Sequence, residues 1–145
     1  MEGPHTPRQR HRFLDSDVPE PEGPQFAALG HSGSLSYKGL ETFPNPGCAV
    51  VILAFDELMS SCPVTGQPDF YVGKIQLRGT TNLVESKSLK LFFHSIIKFH
   101  TGLFGESLAV YIRDCLCEAL EADVDEVTVE LTQKSRGGIS ITAVA

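Results

Sequence analysis

Ser86-Lys87-Ser88-Leu89-Lys90-Leu91-Phe92-Phe93-His94-Ser95-Ile96-Ile97 is where the apolar period of this chain changes. Leu89, Phe92, Phe93, Ile96 and Ile97 recur at i, i+3, i+4, i+7 and i+8, which places them on one face of a helix. Thr101-Gly102 is a helix stop. A second helix is predicted from the same spacing of Leu108, Tyr111, Ile112, Cys115, Leu116, Ala119 and Leu120, with Glu106 in its first turn. That stripe makes Cys115 a core residue and leaves Cys117 off it.

On either side of this pair the period is two or the apolar run is short. Cys48-Ala49-Val50-Val51-Ile52-Leu53-Ala54-Phe55 reads as a strand buried on both faces, after the turn-rich lead-in from Leu40 to Gly47. Phe70 to Leu77 reads as a second strand whose phase slips around Gly73, as a β-bulge would cause. After the helices, Val127, Val129 and Leu131 alternate with Thr128 and Glu130, and Ser135-Arg136-Gly137-Gly138 turns into Ile139-Ser140-Ile141-Thr142. The expected fold is α+β in the order ββααββ, an antiparallel four-stranded sheet with both helices on one face.

The chain has 145 residues, 41% of them hydrophobic, enough for one core and too few for two ordinary domains. Residues 1–30 hold five prolines with mixed charge and little apolar periodicity, the composition of a mobile tail, leaving residues 31–145 as the single folded domain. Arg8, Arg10 and Arg12 in that tail are followed at once by Asp15, Asp17, Glu20 and Glu22. A net charge of −6 argues against a nucleic-acid surface as the main role, because phosphate contacts need clustered cations. A small ligand is expected instead. No apolar run approaches the roughly 20 residues of a membrane span, and no apolar segment after Met1 resembles a secretory signal. The four cysteines, at 48, 62, 115 and 117, lack zinc-ribbon spacing, and Cys115 and Cys117 point to different helix faces. A reduced, cytoplasmic protein without a metal is the expectation.

Between the first two strands lies Ser60-Ser61-Cys62-Pro63-Val64-Thr65-Gly66-Gln67-Pro68-Asp69-Phe70. Pro63 and Pro68 restrict the backbone on both sides of a turn that Gly66 can sharpen, so the loop aims a thiol. Cysteine is the most nucleophilic side chain near neutral pH. Asp69, at the entrance to an apolar run, is expected to be shielded enough for its pKa to rise and for it to hold a proton. The plainer alternative is a small core cysteine and a surface turn closed by an aspartate.

Cys62-Pro63-Val64-Thr65-Gly66-Gln67-Pro68-Asp69-Phe70, then Val84-Glu85-Ser86-Lys87-Ser88-Leu89-Lys90-Leu91-Phe92, then Arg136-Gly137-Gly138-Ile139-Ser140-Ile141 resemble, in order, the motifs of the NADPH-dependent 7-cyano-7-deazaguanine (preQ0) reductases of queuosine biosynthesis. The resemblance runs from about Leu40 to the C-terminus. It implies the tunnelling fold in its short, single-unit form, whose units close barrels only as homo-oligomers, with sites at subunit interfaces. It implies Cys62 as nucleophile and Asp69 as proton donor, forming a thioimide that accepts hydride more readily than the nitrile does, and it implies two NADPH consumed per 7-aminomethyl-7-deazaguanine (preQ1) formed.

Glu106 is the candidate acceptor for the two adjacent N–H donors of the guanine-like edge. Val84, Glu85 and Ser86 match the family's other substrate segment, although Glu85 and Ser86 also read as an ordinary helix start. Ser86, Lys87, Lys90, Arg136 and Gly137 match its NADPH contacts, with Lys87 and Lys90 three apart on a helix and a solvated face as the ordinary alternative. No Rossmann glycine motif is present. One departure stands out: the family has a substrate-contacting histidine before the glutamate, and here that place is Gly105. Two rivals share these residues: an amidinotransferase acting on a nitrile-bearing tRNA base, which would need a basic surface, and a non-catalytic binder of a purine-like ligand.

Overall fold

A computed structural model describes residues 39–99 and 103–145. The expected tail, residues 1–30, and the helix stop at Thr101-Gly102 lie outside them. The elements run β1 (Thr42–Pro44), β2 (Val50–Ser61), β3 (Pro68–Arg78), β4 (Asn82–Val84), α1 (Ser86–Phe99), α2 (Gly105–Leu120), β5 (Val127–Gln133) and β6 (Thr142–Val144). Strands β2, β3, β5 and β6 form one antiparallel sheet in that spatial order, so the ββααββ reading holds for the main sheet. A second, two-stranded sheet of β1 and β4 was not expected. The turn-rich lead-in supplies β1, whose three residues include a proline and are too short to show a period. Tertiary hydrogen bonds hold it: the Glu85 amide donates to the Glu41 carbonyl at 2.8 Å and the Glu41 amide to Ser88 Oγ at 3.0 Å.

The core lies between the main sheet and the helices. Tyr71, Ile75 and Leu77 of β3 and Val127, Val129 and Leu131 of β5 bury against Leu89, Phe92 and Ile96 of α1 and Leu108, Ile112, Leu116 and Leu120 of α2. Each such side chain contributes about 1.5–3 kcal/mol on burial, so both helices are fixed by their stripes. Cys115 is half-buried at the margin of this cluster, with its thiol pKa pushed up chiefly by burial.

Two strand expectations are corrected. The register slip lies on β2, between Phe55 and Leu58, not at Gly73. Gly73 sits opposite Phe55, and a Cβ there would collide with the Glu130 carbonyl and come within 2.9 Å of the Phe55 ring. The glycine makes room for a neighbouring strand and a ring. The buried face of β3 is therefore Asp69, Tyr71, Ile75 and Leu77, in one unbroken phase, and Phe70 points away. Strand β2 is not buried on both faces in the single chain either: Val51, Leu53 and Phe55 face the helices while Ile52 is 58% exposed. The helix-free face carries Val50, Ile52, Phe70 and Val144 exposed, around a Lys74–Glu130 ion pair at 3.8 Å and a Thr132–Thr142 hydroxyl pair at 2.8 Å.

Candidate active site

The site begins with the β2–β3 hairpin. Ser61 pairs with Pro68 and Ser60 with Asp69, so residues 62–67 form the closing loop. The Cys62 amide donates to the Gln67 carbonyl at 2.8 Å, and the Gly66 amide returns a bond to the Cys62 carbonyl at 2.9 Å, with Gly66 at φ 70°. Positive φ is inexpensive for glycine, which is why the turn closes there. Pro68 opens β3, where its missing N–H breaks least of the ladder. The loop thus holds Cys62 half-exposed, one step past the end of β2.

The Cys62 thiol is lowered from an ordinary 9.0 to about 7. The Thr65 hydroxyl is the largest cause, followed by the backbone of Thr65 and Val64, with a smaller lowering from Arg136. Each is a donor that favours thiolate over thiol. A substantial thiolate fraction therefore exists at neutral pH.

Asp69 is 5% exposed, as its place at the head of an apolar strand predicts. What the sequence did not show is its partner. Arg136 Nη1 donates to Asp69 Oδ1 at 2.6 Å, and Nη2 donates to Gln67 Oε1. The carboxylate, by hydrogen bond and charge, raises the Arg136 pKa further above its ordinary range. Arg136 arrives through topology: β5 lies beside β3, with Tyr71 opposite Gln133 and the Lys134 amide on the Phe70 carbonyl, so the turn after β5 overhangs the start of β3. Arg136 and Ile139 exchange backbone bonds around Gly137 and Gly138, at φ 60° and 80°. Both central positions have positive φ, which glycine takes without a steric penalty.

Ser60 and Tyr71 flank Asp69 on the buried face, each 1% exposed, and neither hydroxyl has a partner among the described residues. The Tyr71 phenol is raised to about 12, by burial first and then by the charges of Asp69, Glu106 and Cys62. The phenol thus lies within the electrostatic reach of Asp69, Glu106 and Cys62. Gly105 borders it: a Cβ there would come within 3.1 Å of the Tyr71 ring and 3.3 Å of its hydroxyl. Sequence reasoning missed Tyr71, although the period-two rule puts it on the face of Asp69.

Glu106 is exposed in the first turn of α2. Val84 is buried in β4. Glu85 is buried as the cap of α1: its carboxylate accepts from the Lys87 amide at 2.7 Å and the Ser88 amide at 2.6 Å. Ser86 and Lys90 line a cavity of about 430 Å³ between β2 and α1, walled by Leu53, Phe55, Leu89 and Phe93 and also bordered by Asp56 and Glu57. Lys87 is half-buried and does not line it, while Arg136 borders a separate depression with Gln67, Phe70 and Lys134. Within one chain the expected cofactor residues therefore fall into two groups. Among the described residues no cluster is suited to holding a metal ion and no helix is long and apolar enough to cross a membrane.

Fold and site define an α+β chain with a thiol and a buried carboxylate at one hairpin end. Its relatives are specific. The NADPH-dependent 7-cyano-7-deazaguanine reductase of Frankia casuarinae is 38% identical over 116 residues, covering 79% of this chain and 90% of that protein. The protein of that name from Syntrophus aciditrophicus is 34% identical over 135 residues, 91% and 93% of the two chains, and one from Helicobacter pylori is 42% identical over 105 residues, 70% and 68%. The chain belongs to the NADPH-dependent 7-cyano-7-deazaguanine reductase family. The apo archaeosine synthase QueF-Like shares the fold, with a TM-score of 0.54 at 17% identity over 68% of this chain and 93% of that one. No protein-family model matches the chain.

Proposed function

We propose that this protein reduces the nitrile of 7-cyano-7-deazaguanine to the aminomethyl group at the expense of NADPH, in queuosine biosynthesis. The observation that carries the reading is the pairing, at one hairpin end, of a half-exposed thiol lowered to about 7 with a buried carboxylate. A thiolate at Cys62 adds to the nitrile carbon while a proton reaches the nitrogen, giving a thioimide; Asp69 is the group placed to pass that proton. Arg136 holds Asp69, so that contact must open before Asp69 can serve the nitrile nitrogen.

NADPH, when bound, supplies the hydride. Ser86 and Lys90 suit its phosphates, as a hydroxyl donor and a cation at an apolar cavity, and Lys87 adds charge from the same helix. Arg136, with Gly137, is assigned to the cofactor from its own turn. Glu106 receives the N–H edge of the substrate, with the backbone of Val84 to Ser86 beside it and Gly105 bordering the pocket. Glu85 has both oxygens on its own helix, so it shapes the pocket wall rather than reading the base.

Two features support assembly as a homo-oligomer. The helix-free sheet face leaves apolar side chains uncovered, and the two groups of cofactor residues lie apart within one chain. Closure of such units into a barrel, with sites between subunits, would cover the first and join the second. The chain from residue 31 onward is assigned to this unit. Its partners are then the deazapurine substrate and further copies of this chain.

NADPH oxidation with and without 7-cyano-7-deazaguanine, on wild type and Cys62→Ala, tests the reading. Substrate-dependent oxidation is expected in wild type, falling at least about a thousandfold in the variant, since the nucleophile that forms the thioimide is gone. A covalent Cys62 adduct by intact mass without NADPH consumption would instead indicate the amidinotransferase, and neither signal a binding protein.

A further inference from the structure

Three observations converge on one side chain outside the expected machinery. Tyr71 is 1% exposed, and its hydroxyl has no hydrogen-bond partner among the described residues. Burying a hydroxyl with no partner costs about 1–3 kcal/mol, so this hydroxyl gains from any acceptor that reaches it, one on a bound ligand included. The phenol is close enough to Cys62, Asp69 and Glu106 to feel the charge of all three, the groups assigned to bond making, proton transfer and recognition. And residue 105, whose side chain would press on that hydroxyl from 3.3 Å, is bare.

The ring and a residue-105 side chain compete for space. A Cβ would lie 3.1 Å from the ring, tighter than ordinary contact, so the ring or the helix start must give way slightly. Tyr71 thus stands, from β3, against the position where a side chain at the start of α2 would begin.

We propose that Tyr71 is a substrate-binding residue of this site, its hydroxyl donating a hydrogen bond to the bound deazapurine in place of a side chain at position 105. The inference rests on the function proposed above. A phenol held at about 12 stays protonated through the working pH range, so it serves as a donor and never as a competing anion beside Asp69 and Glu106. The absence of a histidine at position 105 is then a relocation of the donor from helix to strand.

Tyr71→Phe tests this with the ring kept and one oxygen removed. Turnover and equilibrium binding of 7-cyano-7-deazaguanine are measured on wild type, Tyr71→Phe, Gly105→Ala and the double variant, with thermal melting as the check on folding. Tyr71→Phe should melt at or above the wild-type temperature, since it sheds an unpartnered polar atom, and yet bind substrate roughly tenfold more weakly, the loss of one hydrogen bond. Gly105→Ala should weaken binding by displacing the same hydroxyl, and the double variant should do little worse than Tyr71→Phe alone. Equal binding and kcat/KM in Tyr71→Phe and an active wild type would overturn the inference and leave the reductase standing. A wild type that neither binds nor turns over the deazapurine would overturn the function and the inference with it.

Discussion

Two stretches of this chain carry a carboxylate in equally distinctive surroundings, Asp69 at the end of the β2–β3 hairpin and Glu85 before α1, and both are buried. They spend their oxygens differently. Glu85 accepts from amides two and three residues onward, a local cap that any helix start can make. Asp69 accepts from Arg136, 67 residues away, on a turn brought over it by strand order. A carboxylate satisfied by its own helix is fixed in one state. One satisfied by an exposed guanidinium can lose that partner to a competing anion.

Arg136→Ala should break the contrast most strongly. It leaves a buried carboxylate without its cation, at a cost of about 1–3 kcal/mol, and removes one of the donors that lower Cys62. Denaturant unfolding should show the loss of stability, and the pH midpoint of Cys62 alkylation should rise. Glu85→Ala should cost less, about 0.5–2 kcal/mol for a lost N-cap, with that midpoint unchanged. An effect of Glu85→Ala on thiol reactivity as large as that of Arg136→Ala would erase the distinction.

Thr65→Val sharpens the hairpin side of the comparison. The thiolate forms as pH rises through the thiol pKa, so alkylation of the wild type should be half-maximal near pH 7. Loss of the largest lowering contribution should move that midpoint up toward 9.0 with little change in unfolding. At a fixed pH well below the midpoint, alkylation should slow about tenfold for every tenfold rise in the thiol's proton affinity.

The smallest effect is expected at the far end of α2. Glu121 closes the helix in the left-handed region at φ 53°, its neighbour Ala122 donating to the Cys117 carbonyl at 3.0 Å. Glycine takes that conformation without a Cβ penalty. Glu121→Gly should therefore stabilise the chain by up to about 1 kcal/mol, read as a rise in Tm with no change at the hairpin.

Much of the main sheet and both helices were legible in the sequence because their signals are local. Leu89, Phe92 and Ile96, or Val127, Val129 and Leu131, state a period that only one kind of element satisfies. The same holds for the Cys62 loop, where the prolines and Gly66 prescribe a turn. The bulge was misplaced because Gly73 looked like a defect in its own strand, whereas the extra residue lies on β2 and the glycine answers the Phe55 ring across the pair. Strand β1 was missed because three residues have no period and are held by Glu85 and Ser88.

The sequence by itself determined the order of the four main strands and the two helices, the family, and the place of a thiol and a carboxylate at one hairpin, since each depends on residue types at short spacing. Only the tertiary structure decided who surrounds them. Arg136 meets Asp69 because β5 lies beside β3, and the Tyr71 hydroxyl meets the bare position 105 because α2 packs over that sheet. Those neighbours are set by long-range packing, which leaves no period and no spacing in the sequence to read.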